Sequence, residues 1–143
     1  MGIIEVKDVC KVFGSKENSN TVLDNVSLDI EKGEFVFIVG DSGSGKSTLI
    51  KLLLKEVEPT DGTIEVDGLV LNKMKRKYVP MYRRKIGCVF QEFRLLKDRN
   101  VYENIAFAQK VIGESTKSIK KRVPAMLSMV GLAAKYKSYP KEL

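Results

Sequence analysis

Between Val39 and Leu49 the chain reads Gly40, four residues, then Gly45, Lys46, Ser47 and Thr48, and this spacing brings together groups that suit one kind of ligand. Closely spaced glycines let a backbone curl until several N–H groups point inward, which makes a cradle for an anion. A lysine adds a full positive charge, and hydroxyls add donors and a hard oxygen for a divalent cation. Gly40, Asp41, Ser42, Gly43, Ser44, Gly45, Lys46, Ser47 and Thr48 therefore predict a phosphate-binding loop. In it Lys46 reaches the β and γ phosphates, Ser47 ligates Mg²⁺ and Thr48 supplies a hydroxyl to the α phosphate. A chance match to the pattern is expected in about one such sequence in a hundred, before its surroundings are considered.

The flanking residues must present that loop. "EFVFIV" before it is continuously apolar, as a strand buried on both faces would be, and predicts a strand over Phe35 to Val39. "KSTLIKLLLKEV" after it has helical length and propensity and stops before Pro59. A helix N-terminus would thus add the positive end of its dipole to the loop. Upstream, "IIEVKDVCKVF" and "TVLDNVSLDI" alternate as strands do. Downstream, "TIEVDG" and "KIGCVF" predict two more strands. "NVYENIAFAQKVIG" predicts a helix with Asn100 as N-cap, Glu103 completing a capping box and Gly113 as the stop. A last helical pattern places Ile119, Val123, Met126, Leu127 and Val130 on one face, with Pro124 as a kink or restart.

Composition bounds what else the chain does. At 143 residues it is the size of one ordinary domain. With no histidine, imidazole chemistry is excluded within these residues. Cys10 and Cys88 lie in apolar, strand-like runs and read as reduced core thiols, without metal-ligand spacing. No run is long enough to span a bilayer, no signal peptide is apparent, and Val6 stands where a myristoylation signal wants Ser or Thr. A cytoplasmic location is expected. The net charge of +7 is uneven: Lys73 to Lys85 holds seven basic residues and no acidic one, and Lys117, Lys120, Lys121 and Arg122 form a second group. Without a recognisable nucleic-acid module these read first as a solvated surface, and next as proximity to anionic lipid; no specific nucleic-acid binding is expected.

A phosphate loop alone does not separate kinases, GTPases and transport ATPases. "VCKVF", "VLDNVSLDIEKGEFVFIVGDSGSGKSTLIKLLL", "PTDGTIEVDG", "IGCVFQEFRLL" and "TKSIKKRVPAMLSMVGL" resemble, in order and distance, the first part of ATP-binding cassette (ABC) ATPases. Within that family the pattern is most similar to the FtsE type of cell division, with "FRLL" after the glutamine the most telling piece; lipoprotein-release and macrolide-export cassettes share much of the framework.

The resemblance implies an α/β fold: the N-terminal portion of a P-loop ATPase domain over residues 1–143, with an antiparallel β subdomain and an incomplete RecA-like core. It implies ATP and Mg²⁺ as ligands, with Phe13 stacking on adenine and Gln91 touching Mg²⁺ and the attacking water. Lys46 and Gln91 are then the catalytic residues present. It further implies a homodimer of the complete protein, held peripherally on the inner face of the plasma membrane. There an FtsX-like membrane protein would dock near Gln91, Phe93, Leu95 and Leu96, although those apolar residues also fit an ordinary core.

In the family, the position after Leu143 opens a signature resembling S-G-G-E-Q; a strand ending in Asp-Glu and a switch histidine follow later. None lies within these residues. An amide such as Gln91 orients water but accepts protons poorly, so the resemblance implies that this stretch alone binds ATP without turning it over. The family layout also sets two further strands between the phosphate-loop strand and the Gln91 strand, so a gap in the sheet is expected. The competing readings are a small P-loop kinase, disfavoured because two strands precede the loop, and a non-catalytic nucleotide-binding module.

Overall fold

The computed structural model describes residues 2–15 and 17–143. Where the sequence suggests one domain, the chain divides into two compact units, Met1–Ile86 and Gly87–Leu143, each with its own core.

The first unit is built on an antiparallel sheet of four strands in the order β2-β1-β3-β4. These are β1 (Ile4–Phe13), β2 (Asn20–Ile30), β3 (Asp61–Val66) and β4 (Leu69–Val70). β1 lies between β2 and β3, in register Ile4 with Ile30 and Ile4 with Val66. Its two ladders are interrupted around Asp8, which has φ 49°, as has Asn25 opposite. Positive φ at short polar residues marks bulges, which twist a strand locally. Gly62 at φ 82° packs so closely there that a Cβ would lie 2.3 Å from the Asp8 carbonyl oxygen.

Two helices complete this unit, α1 (Lys46–Leu53) and α2 (Val79–Arg83). Val6, Val9 and Ile64 of the sheet, Leu23 of β2, Leu49 and Leu52 of α1, Leu71 and Tyr82 form its core. α2 also finishes α1 chemically. The Tyr82 hydroxyl donates to the Leu53 carbonyl, and the Arg83 guanidinium donates from Nε to Leu54 O at 2.8 Å and from Nη2 to Lys55 O at 3.0 Å. The last carbonyls of a helix have no partner within it, so these two side chains close the C-terminal end of the helix that opens at the glycine loop.

The second unit pairs α3 (Val101–Val111) with α4 (Thr116–Met129) over Val101, Ala106, Ile119, Val123 and Leu127. The capping box expected at Asn100 and Glu103 is present: Asn100 Oδ1 accepts from the Glu103 N–H at 2.9 Å, and Glu103 Oε2 from the Asn100 N–H at 3.0 Å. α3 ends before Gly113, at φ 89°. α4 runs through Pro124 without a restart, and its spacing buries Ile119, Val123 and Leu127 while Met126 and Val130 of the expected face stay exposed.

Two expected strands are not formed. Phe35–Val39 and the run from Lys85 to Phe90 carry no ladder, and Phe35 is 85 % and Val89 98 % exposed. A strand exists through its neighbours' hydrogen bonds, and among the described residues neither run has a partner strand. Cys88 is consequently exposed rather than a core thiol, whereas Cys10 is half-buried in β1, its Sγ accepting from the Asn25 N–H at 3.2 Å; both are free.

Candidate functional site: a glycine loop at the head of a helix

The loop of residues 40–48 forms at the start of α1. Gly40, Gly43 and Gly45 have φ of 153°, 85° and 91°, a backbone path closed to ordinary side chains. Gly45 is also a steric requirement: a Cβ there would sit 2.7 Å from Leu23 Cδ2 and 2.8 Å from the Val22 carbonyl oxygen. β2 therefore backs the loop directly. Val22 and Leu23 are the supporting residues that motif reading passes over, because nothing in their local sequence marks them.

Lys46 turns back across the loop. Its Nζ donates to the carbonyls of Gly40 at 2.7 Å and Asp41 at 2.6 Å and approaches Ser44 Oγ at 3.3 Å. The loop is further tightened by a bond from the Ser44 N–H to the Asp41 carbonyl at 3.2 Å. A single ammonium is thus fixed among carbonyls at the mouth of α1. The first turn of α1 has neither a side-chain cap nor an acidic residue. Its leading N–H groups therefore face outward with the positive end of the dipole, beside the Lys46 charge. Ser47 is exposed at that turn and Thr48 half-buried. Chemically the arrangement can take up a multiply charged anion through backbone donors, one ammonium and two hydroxyls.

Phe13 lies at the end of β1, opposite Asn20, with its ring 39 % exposed rather than packed in the core. Lys11 Nζ stands 4.8 Å above the ring centroid. Lys11 in turn pairs with Leu23, the residue against which Gly45 packs. The ladder thus sets Phe13 two residues beyond the strand position that backs the loop, about 7 Å along the chain direction.

Gln91 belongs to the second unit, where it is exposed. Phe93 (79 % exposed), Leu95 and Leu96 follow, with Phe93 and Arg94 at φ 40° and 48°. Arg94 lies over the Phe90 ring at 3.9 Å. The next stretch is pinned by Asn104 of α3, a contact that sequence reading also misses. Its Oδ1 accepts from the Leu96 N–H at 2.8 Å, and its Nδ2 reaches the carbonyls of Leu96, Arg99 and Asn100 at 3.1, 3.0 and 3.0 Å.

Ser47, in the first unit, and Gln91, in the second, each carry a neutral, hard oxygen, and the described residues contain no cluster of three or more His, Cys, Asp or Glu able to hold a metal. Donors of this kind suit Mg²⁺ when phosphate oxygens supply the remaining charge. No helix among the described residues is long and apolar enough to cross a membrane.

Comparison with known proteins places the chain in a family. The chain is 48 % identical over 143 residues to the cell division ATP-binding protein FtsE of Streptococcus pneumoniae serotype 2 (strain D39 / NCTC 7466), covering all of this chain and 61 % of that protein. It is 48 % identical over 128 residues to FtsE of Mycobacterium tuberculosis (strain ATCC 25618 / H37Rv), covering 90 % of this chain and 56 % of the relative. The methionine import ATP-binding protein MetN of Haemophilus influenzae (strain 86-028NP) is 40 % identical over 141 residues, matching 99 % of this chain and 41 % of its own length. The chain thus spans about 61 % or less of these relatives. Among solved structures, the ATP-binding cassette MJ0796, in a dimeric post-hydrolysis state bound to ADP and Pi, superposes with a TM-score of 0.88 at 32 % identity, over 98 % of this chain and 62 % of that one. The fold is therefore that of the cassette ATPases, a P-loop α/β domain of which this chain forms part. The ABC transporter family model matches residues 23–143, and the chain belongs to the ABC transporter family.

Proposed function

We propose that these residues are the nucleotide-binding portion of an FtsE-type cassette ATPase. The observation that carries this reading is the glycine loop backed by β2, with the Lys46 ammonium held at its mouth and an uncapped helix behind it. In this reading the loop amides and Lys46 bind the β and γ phosphates of ATP, Ser47 and Gln91 hold Mg²⁺, and the exposed Phe13 ring stacks on the base. Bound Mg²⁺ would neutralise phosphate charge. Lys46 adds the positive charge that stabilises transfer of the terminal phosphoryl group, and Gln91 orients water. No residue in this reading acts as general base, so the 143 residues bind nucleotide and turnover belongs to the complete dimeric protein.

The partner in this reading is an FtsX-like membrane protein, docked at the inner face of the plasma membrane around Gln91, Phe93, Leu95 and Leu96. The exposure of these three apolar side chains, of which Leu96 is held by Asn104, supports it. The test is calorimetry of MgATP binding to the complete protein, wild type against Lys46→Ala. Loss of the binding heat is expected; an unchanged affinity overturns the reading. Co-purification with an FtsX-like subunit, against a methionine-import permease, separates the cell-division assignment from the importer type.

A further inference from the structure

The basic run Lys73 to Lys85 plays no part in the nucleotide reading, yet it does not simply coat a surface. It folds around an open depression of about 560 Å³, lined by Leu69, Met74 and Met81 and by Lys73, Lys75 and Lys85. Met81 is 60 % exposed, and Tyr78, also at this depression, carries the Lys77 ammonium 5.0 Å above its ring. No acidic residue lines it. Asp67 pairs with Lys85 at 3.2 Å, but both side chains are more than half exposed, so that pair is readily exchanged for another anion.

The kind of cation matters. Arg76 and Arg83 belong to a different depression, shared with Glu56 and Glu58, and Arg83 is committed to the carbonyls at the end of α1. Arg84 touches the edge, its Nη1 3.5 Å from Met81 Sδ, but the cations that line the depression itself are lysines. Guanidinium forks suit fixed carboxylate or phosphate geometry, whereas mobile ammonium groups on long apolar stems suit a fluid layer of negative charge above hydrocarbon. Nucleic acid would want several stacking rings and polar base contacts; here Tyr78 is the one exposed ring, already under the Lys77 ammonium, while Tyr82 is buried with its hydroxyl committed to the Leu53 carbonyl.

We propose that this depression is a docking surface for an anionic phospholipid bilayer. Lys73, Lys75 and Lys85 meet the headgroups, and Met81 and Leu69 enter the interfacial layer. This attachment is independent of nucleotide.

The test is co-sedimentation of the purified chain, without nucleotide, with vesicles of phosphatidylcholine alone or mixed with phosphatidylglycerol. Binding to the anionic vesicles only is expected. The variant K73Q/K75Q/K85Q should lose about a hundredfold in partitioning, as expected for three lysines at an anionic surface. K117Q/K120Q/K121Q, which removes the same charge from α4, should bind like wild type. Met81→Ser should weaken binding with no change in charge. Equal loss in both triple variants, or equal binding to both vesicle types, overturns the proposal. So does capture of an acidic amphipathic peptide with no vesicle binding, which would give the depression to a protein partner. If circular dichroism shows the pocket triple variant misfolded, the exposed single sites K73Q and K75Q replace it, each expected to cost about fivefold, and unchanged binding by both is equally fatal.

Discussion

Asn104 holds Leu96 from both sides, its Oδ1 accepting from the Leu96 N–H at 2.8 Å and its Nδ2 donating to the Leu96 carbonyl at 3.1 Å. A side-chain amide here replaces the ladder contact a neighbouring strand would make. Because the same Nδ2 also reaches Arg99 O and Asn100 O, one of its two N–H groups is shared. Asn104→Ala should therefore free the stretch from Leu96 to Asn100 at a cost of about 2 kcal/mol. A lowered melting midpoint together with faster exchange of the Leu96 amide is expected. Faster exchange confined to α3 itself would contradict this account.

Gly45→Ala should damage the phosphate loop from within. The new Cβ meets Leu23 Cδ2 and the Val22 carbonyl below 3 Å and must adopt φ near 91°. A loss of about 1–3 kcal/mol in stability is expected, with nucleotide affinity falling as the loop lifts from β2. Urea unfolding and calorimetry read the two effects. Gly43→Ala meets no neighbouring atom within 4 Å and serves as the comparison for backbone strain alone.

Tyr82 carries the alkaline dependence of the first unit. Its side chain is buried, and burial pushes the phenol up to about 12 from 10.0. The folded state thus keeps its proton where the unfolded chain releases it. The Tyr82 contribution is complete below pH 10 and is lost as pH rises through about 12. Tyrosinate absorbance should show one late titration that Tyr82→Phe abolishes, and that variant should lose part of the stability drop between pH 10 and 12. Equal alkaline curves for both proteins would count against it.

Arg83→Ala should cost more than the removal of an ordinary exposed charge, because it uncovers the Leu54 and Lys55 carbonyls. About 1.5–3 kcal/mol is expected for bonds from a charged donor. Arg84→Ala, one residue on, should stay within about 0.5 kcal/mol. Thermal unfolding of the two variants under identical salt decides the matter.

For the partner, Phe93→Asp in the complete protein should leave MgATP binding intact and abolish co-purification of the membrane subunit. Since Phe93 is exposed, the substitution introduces no buried charge and should leave the fold stable. Unchanged co-purification would remove this stretch from the docking surface.

These cases show which parts of the chain were legible beforehand. The glycine loop and the Asn100–Glu103 capping box could be read because the hydrogen bonds that close them lie within a few residues, whereas the backing of Gly45 by Val22 and Leu23 could not. β1, β2 and β3 followed from alternation, which reports one buried face. Phe35–Val39 and Lys85 to Phe90 misled because apolarity records a need for burial, not the presence of whatever supplies it. Arg83 looked like one more solvated cation in a basic run, since its partners lie 28 and 29 residues away, across a fold that composition does not reveal. Asn104, eight residues from Leu96, was hidden for the same reason.

The run Phe35–Val39 has a practical consequence. Five consecutive β-branched or aromatic residues, uncharged and without proline, stand exposed, with Phe35 and Phe37 already packed edge to face at 4.9 Å. Such a segment meets the requirements of a steric zipper between copies. Concentrated solutions of these 143 residues should form thioflavin-positive fibrils after a lag, and Ile38→Lys, placing one charge in the middle of the run, should abolish the fibrils while leaving the sheet of β1 to β4 untouched.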